Sequence, residues 1–82
     1  MTPRLKTLGG RDVVRALRRV GFEILRTKGS PATLVRRTTE GATQTLTVPL
    51  HRELATGTLH AIYRQALKFV PAEQLFPLFF NE

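Results

Sequence analysis

The pattern of hydrophobic and polar residues predicts a helix near the start of the chain. Between residues 11 and 20 the hydrophobic positions follow the i, i+1, i+4, i+7 spacing of one buried helix face. Gly9 or Gly10 provides an N-cap, Asp12 places a negative charge in the first turn, and Gly21 ends the helix. The opposite face is strongly basic and carries Arg11, Arg15, Arg18 and Arg19.

Alternation of apolar and polar residues predicts three strands in the middle of the chain, over residues 22–26, 32–37 and 42–50. The last is the clearest, because its leucines and valine alternate with threonines. The segments between the strands are short and have turn composition, including Gly29 and Gly41. Strands joined by short turns pair as neighbours, so we expect an antiparallel meander.

Two more helices are predicted after the strands. Residues 57–68 carry an apolar stripe, with Thr56 as the N-cap. Pro71 suits the first position of a short third helix, and Pro77 is expected to distort it. The order predicts a two-layer α+β domain, in which helices cover one face of a three-stranded antiparallel sheet. A chain of 82 residues fits one such domain, over residues 1–82.

The charge is unevenly distributed along the chain. The net charge is +7, and residues 1–39 alone carry ten Lys/Arg against two acidic residues. Ten of the thirteen cations are arginine, the side chain that pairs bidentately with phosphate. A basic half indicates a nucleic acid, or an acidic protein partner on the same surface. A surface charged only for solubility is the alternative.

The composition also argues against several classes of function. Without cysteine, a disulfide framework and a thiolate metal site are excluded, and two histidines are too few for a structural zinc site. There is no Gly-rich nucleotide loop, Ser-His-Asp set or paired-carboxylate site, so no metal and no small-molecule cofactor is expected. No apolar run approaches the roughly 20 residues of a membrane span. We expect a soluble cytoplasmic protein that does not enter membranes.

Several short motifs occur in an order that resembles the HicA, or YcfA-like, family of mRNA interferase toxins. The resemblance covers roughly residues 7–80. No single motif is specific, but the ordered combination is. After the amphipathic helix come Gly21-Phe22, Lys28-Gly29-Ser30, Val48-Pro49-Leu50-His51 and Gly57-Thr58-Leu59.

The resemblance implies a fold similar to double-stranded RNA-binding domains and an endonuclease that hydrolyses mRNA. It also implies a type II toxin–antitoxin system, in which a HicB-like antitoxin neutralises the toxin. The family's catalytic histidine directly follows the Lys-Gly-Ser turn, and here Pro31 holds that position. Proline cannot exchange a proton and lacks a backbone N–H. Either RNA cleavage is lost, or another residue has taken over the catalytic role of this histidine.

His51 is the candidate catalytic residue, because antiparallel pairing would place it beside the turn at 28–30. The alternative is a surface histidine at a strand end, bonded to Glu53 or to solvent. The turn and the start of the second helix offer N–H groups to phosphate, and the basic helix face suits an RNA groove. The RNA-binding candidates are Arg11, Arg15, Arg18, Arg19, Lys28, Gly29, Ser30, Arg36, Arg37 and Thr58. An ordinary turn, a simple N-cap and a solvated helix face are the alternatives.

Three functions remain open on these grounds. The first is an RNA-binding toxin that cleaves mRNA. The second is a non-catalytic RNA-binding regulator derived from such toxins, which Pro31 favours. The third is a protein-interaction module whose basic face only docks an acidic partner. The C-terminal residues 76–80 are either a patch for a partner or a lid on the core.

Overall fold

The computed structural model describes residues 2–81, so Met1 and Glu82 of the predicted domain lie outside the described residues. The predicted order of helix, three strands, helix and short helix is confirmed, and two short terminal strands are added to it. In chain order the elements are β1 (Arg4–Leu5), α1 (Gly10–Arg19), β2 (Glu23–Arg26), β3 (Ala32–Arg37), β4 (Thr43–Val48), α2 (Thr56–Ala66), α3 (Ala72–Phe79) and β5 (Phe80–Asn81).

The main sheet is the expected antiparallel meander, with strand order β2-β3-β4. β3 and β4 are paired without interruption from Ala32↔Val48 to Arg37↔Thr43. The pairing of β2 with β3 shifts by one residue between Ile24 and Arg26, which is a β-bulge. β2 and β4 are therefore the edges of this sheet, and β3 is its centre.

One face of the sheet is buried and the other is open. Leu34 of β3 and Leu46 of β4 are buried, whereas Thr45 and Thr47, the two neighbours of Leu46 along β4, are exposed. Helices cover the buried face, which confirms the predicted two-layer α+β architecture. The helical part of the core is contributed by Val13, Val14, Leu17, Leu59, Ile62, Ala66, Leu75 and Phe79.

The two ends of the described chain pair with each other in a second, two-stranded sheet of β1 and β5. The backbone N–H of Lys6 donates to the carbonyl oxygen of Phe79 at 2.8 Å. Phe79 is fully buried and its ring packs against Tyr63 at a centroid distance of 5.3 Å. Part of the C-terminal segment is therefore a lid on the domain's own core.

Candidate nucleic-acid interface

A cleft of about 550 Å³ runs beside α1 and faces the turn between β2 and β3. Arg11, Arg15 and Arg18 line one wall, because positions i, i+4 and i+7 share one side of a helix. None of the described residues lining the cleft is acidic. The remaining lining residues are Val14, Ile24, Thr27, Gly29, Ala32 and Leu50.

The cleft therefore combines guanidinium groups with apolar surface. Val14 and Ala32 are buried side chains that reach its lining from α1 and β3. Charged groups beside low-dielectric walls interact with an anion more strongly than the same groups in open water. The arrangement is suited to a ligand that carries both negative charge and flat or apolar surface.

The start of α1 lies directly against the segment after β4. The backbone N–H of Gly10 donates to the carbonyl oxygen of His51 at 2.9 Å. A Cβ on Gly10 would overlap the carbonyl oxygen of Pro49, and one on Gly9 would overlap that of Arg52. Only glycine permits this approach, so the pair fixes the His51 segment relative to the basic face of α1.

His51 lies in a second niche of about 460 Å³ next to the cleft. Arg11, Arg15 and Leu50 line both the niche and the cleft, so the two are contiguous. His51 itself is exposed. The structure thus places an exposed imidazole beside two of the three cleft arginines.

Asp12 connects the helix start to one of these arginines. One carboxylate oxygen accepts the backbone N–H of Gly9 at 2.8 Å, and the other accepts Nη2 of Arg15 at 2.8 Å. Because the ion pair is exposed, it contributes little to stability. Its effect is to orient the Arg15 guanidinium between niche and cleft.

The turn at residues 28–30 borders the cleft on the side opposite α1. Gly29 lines the cleft and has a φ of 72°, a conformation that favours glycine. The Ser30 hydroxyl oxygen accepts the backbone N–H of Leu50 at 2.9 Å, so the turn touches the residue before His51. Lys28 and Pro31 are exposed, and the Ser30–Pro31 peptide bond is cis.

The other candidate residues lie away from the cleft lining. Arg36 donates through Nη1 to the carbonyl oxygen of Phe69 at 2.7 Å and to Oε1 of Gln44 at 3.3 Å. It lies at the end of β3 remote from the turn at residues 28–30, and its bond to Phe69 ties the sheet to the segment after α2. Arg19 and Arg37 are exposed, and Thr58 is half-buried in the first turn of α2.

Sequence reasoning did not find the apolar part of the site. Ile24 and Leu50 line the cleft with apolar side chains, and only Leu50 had a detectable signal, its place beside His51 in the motif. Their convergence depends on the register of three strands and on the bulge in β2. No helix within residues 2–81 is long and apolar enough to cross a membrane.

The order helix, three antiparallel strands and helix, with α1 and α2 on one face of the sheet, defines a small α+β domain of the double-stranded RNA-binding-domain type. A family model described as "HicA toxin of bacterial toxin-antitoxin" matches residues 10–67, which is more than half of the chain. The chain belongs to the HicA toxin family. It is thereby a member of the toxins of bacterial toxin–antitoxin systems, with an antitoxin as the implied partner. No curated protein and no solved structure matches it significantly.

The matched region begins at the first residue of α1 and ends just after α2. It contains both walls of the cleft and every residue lining the His51 niche except Gly9. β1, α3 and β5 lie outside it and form the lid over the core.

Proposed function

We propose that the protein is a toxin that binds RNA, with mRNA as its target, in the cleft beside α1. The observation that carries this proposal is the alignment of Arg11, Arg15 and Arg18 along one wall of a cleft without acidic residues. Arg11 and Arg18 are seven residues apart, which is about 10 Å along a helix axis. That length matches about three phosphates of one strand in a duplex.

The turn at residues 28–30, opposite α1, supplies neutral hydrogen-bond donors for the phosphate backbone of the same RNA strand. Gly29 brings its main chain close to the ligand, and Lys28 adds an exposed ammonium group at the rim. The Ser30 oxygen already accepts a hydrogen bond from Leu50, so its O–H remains available to donate to a phosphate oxygen. These contacts read charge and shape rather than base sequence.

In the catalytic form of this proposal, His51 transfers the protons. The 2′-hydroxyl attacks the adjacent phosphorus atom and loses its proton, while the 5′-oxygen of the next nucleotide leaves and gains one. The products are a 2′,3′-cyclic phosphate and a free 5′-hydroxyl. Arg11 and Arg15 lie beside His51 and would stabilise the charge that develops on the phosphoryl oxygens.

A second candidate function is an RNA-binding regulator that does not cleave. Pro31 favours it, because it replaces the histidine implied by the family resemblance and supplies no proton. A third is a module that only docks an acidic partner. For each of the three functions, we propose a HicB-like antitoxin as the protein partner. Since mRNA is the proposed target, we also propose that the protein acts in the cytoplasm.

The test is incubation of the purified protein with end-labelled mRNA, at low salt where phosphate-driven binding is strongest. His51→Ala should lower cleavage by about 10²- to 10⁴-fold and leave RNA binding intact. The substitution keeps the Gly10–His51 hydrogen bond, which uses only the His51 backbone. His60→Ala is the matched control, since His60 packs against Phe80, outside the niche.

Three outcomes separate the three functions. Cleavage by the parent and by His60→Ala, but not by His51→Ala, supports the nuclease. Binding without cleavage by all three proteins supports the regulator. If the parent neither binds nor cleaves RNA at low salt, both RNA functions are wrong and the interaction module remains.

A further inference from the structure

β4 is an edge of the main sheet, and its outer side is unpaired. Within residues 2–81 it pairs with β3 alone. At the hairpin turn, the backbone N–H of Thr38 donates to the carbonyl oxygen of Ala42 at 2.9 Å, so these opposite residues form a hydrogen-bonded pair. Hydrogen-bonded and non-hydrogen-bonded pairs alternate along an antiparallel ladder. The turn therefore determines which backbone groups of β4 face β3 and which face outward.

The outward groups of β4 belong to three threonines. Because the register of β3 and β4 is uninterrupted, the non-hydrogen-bonded positions of β4 are Thr43, Thr45 and Thr47. Their N–H and C=O groups point away from β3, and no hydrogen bond from elsewhere in residues 2–81 reaches them. Their side chains are exposed as well. We call these three residues the threonine edge.

The two edges of the sheet are protected to different degrees. Proteins hinder the addition of a strand to an edge with bulges, prolines or charged side chains. β2 has a bulge and carries both Glu23 and Arg26. β4 is regular and contains neither a charged residue nor a proline. The edge that can accept another strand is therefore the threonine edge.

The threonine edge is complementary to itself. When two β4 strands meet antiparallel about a twofold axis at Thr45, each Thr45 lies opposite its copy and each Thr43 lies opposite a Thr47. All three positions are then hydrogen-bonded pairs, which satisfy every outward N–H and C=O group of both copies. Opposed threonine side chains also form a favourable cross-strand pair. A patch that meets itself in this way is the usual geometry of a homodimer.

The charge distribution permits this contact although the net charge is +7. Residues 38–50 carry a single charged side chain, Glu40, so the edge itself has no cation. Repulsion between the cations of the rest of the two chains is screened over about 8 Å at physiological ionic strength. Association of two copies should therefore strengthen as salt rises, whereas RNA binding should weaken.

We propose that the protein forms a homodimer by antiparallel pairing of two β4 strands along the threonine edge, which joins the two main sheets into one. None of the three threonines lines the cleft or the His51 niche. The dimer therefore uses no residue of the proposed RNA site, and the proposal does not rest on RNA binding.

Sedimentation equilibrium of the whole chain over a wide range of protein concentration tests the dimer. The weight-average mass should rise from the 9.2 kDa of one chain towards twice that value, and more steeply at high salt. Amide hydrogen exchange followed by NMR locates the contact. Amides of the threonine edge should exchange rapidly in dilute protein and slowly in concentrated protein. Those of Gln44 and Leu46, which bond to β3, should be protected in both.

Thr45→Pro removes the central N–H of the threonine edge. Because this N–H points away from β3, proline leaves the β3–β4 hydrogen bonds intact, as it does on the edge strands where it is tolerated. Each copy loses one bond at the axis, so the dimer should weaken by about tenfold or more. Thr45→Lys is a second variant, because it places two ammonium groups opposite each other. Thr7→Lys is the matched control: it adds the same charge at an exposed residue outside the sheets and should dimerise like the parent.

Three results would overturn the proposal. One is a mass of 9.2 kDa at every concentration, which would leave the edge to a strand of a different protein. Another is dimerisation of Thr45→Pro and Thr45→Lys as strong as that of the parent, which would place the contact elsewhere. The third is equal weakening by Thr7→Lys and Thr45→Lys, which would mean general charge repulsion. RNA binding is measured separately on Thr45→Pro and should equal that of the parent, so a failure of RNA binding refutes the proposed function and leaves the dimer standing.

Discussion

Replacement of Gly10 by alanine tests how α1 is held against the His51 segment. Gly10 is the first residue of α1, where helix propensity alone would favour alanine by up to about 1 kcal/mol. An alanine Cβ would overlap the carbonyl oxygen of Pro49 and lie 2.7 Å from Cα of Leu50. Both neighbours are backbone atoms, so a chain segment must move rather than a side chain.

The unfavourable terms are larger than the gain in propensity. Overpacking of a tight contact costs about 1–3 kcal/mol. Displacement of the segment also weakens the hydrogen bond from Gly10 to His51, which is worth about 1 kcal/mol. We expect Gly10→Ala to lower the free energy of unfolding by about 1–3 kcal/mol, and Tm by about 4–24 °C in a domain of this size.

Thermal and urea unfolding followed by circular dichroism measure this change. Gly57→Ala is the matched control, because Gly57 lies in the first turn of α2 and a Cβ there meets nothing within 4 Å. In the control, the free energy of unfolding should rise by about 0.5–1 kcal/mol. If Gly10→Ala is as stable as the control, the close contact between α1 and the His51 segment does not exist and the reasoning is refuted.

Three further substitutions separate structural from binding roles. Asp12→Ala removes the acceptor of the Gly9 N–H and should lower stability by about 1 kcal/mol in thermal unfolding; no change would contradict the capping role. Arg36→Ala removes the bond to the Phe69 carbonyl and should lower the free energy of unfolding by about 1–2 kcal/mol in urea unfolding. RNA affinity should stay within about twofold of the parent, and a large loss of affinity would contradict a structural role for Arg36. Phe79→Ala should cost about 3–5 kcal/mol in urea unfolding, and a loss below about 1 kcal/mol would show that the C-terminal lid is not part of the core.

The local parts of the fold were predictable because local patterns specify them. The apolar stripe of α1 and the alternation in β3 and β4 placed these elements within one or two residues, and the short turns gave the antiparallel order. The exact ends differed by one or two residues, even where a capping side chain was available, because Ala55 is the N-cap of α2 and no side chain caps it. α2, for example, begins at Thr56, which was expected to be its N-cap.

Long-range contacts were not predictable from pattern. β1 and β5 are two residues each, too short to show a period, and they meet only because the chain ends converge over Phe79. Arg36 and Arg37 are the same residue type in neighbouring positions, yet only Arg36 bonds a carbonyl 33 residues away. The basic face of α1 was visible in the sequence, but the opposite wall of the cleft was not.

The salt dependence of RNA affinity in arginine variants tests the central claim most directly. Arg18→Gln should reduce the slope of log affinity against log salt by about 0.7–0.9, the value for one lost phosphate contact. Arg19→Gln removes the same charge from the next residue, outside the cleft lining, and should leave the slope unchanged. Equal slopes for the two variants would contradict RNA binding in the cleft.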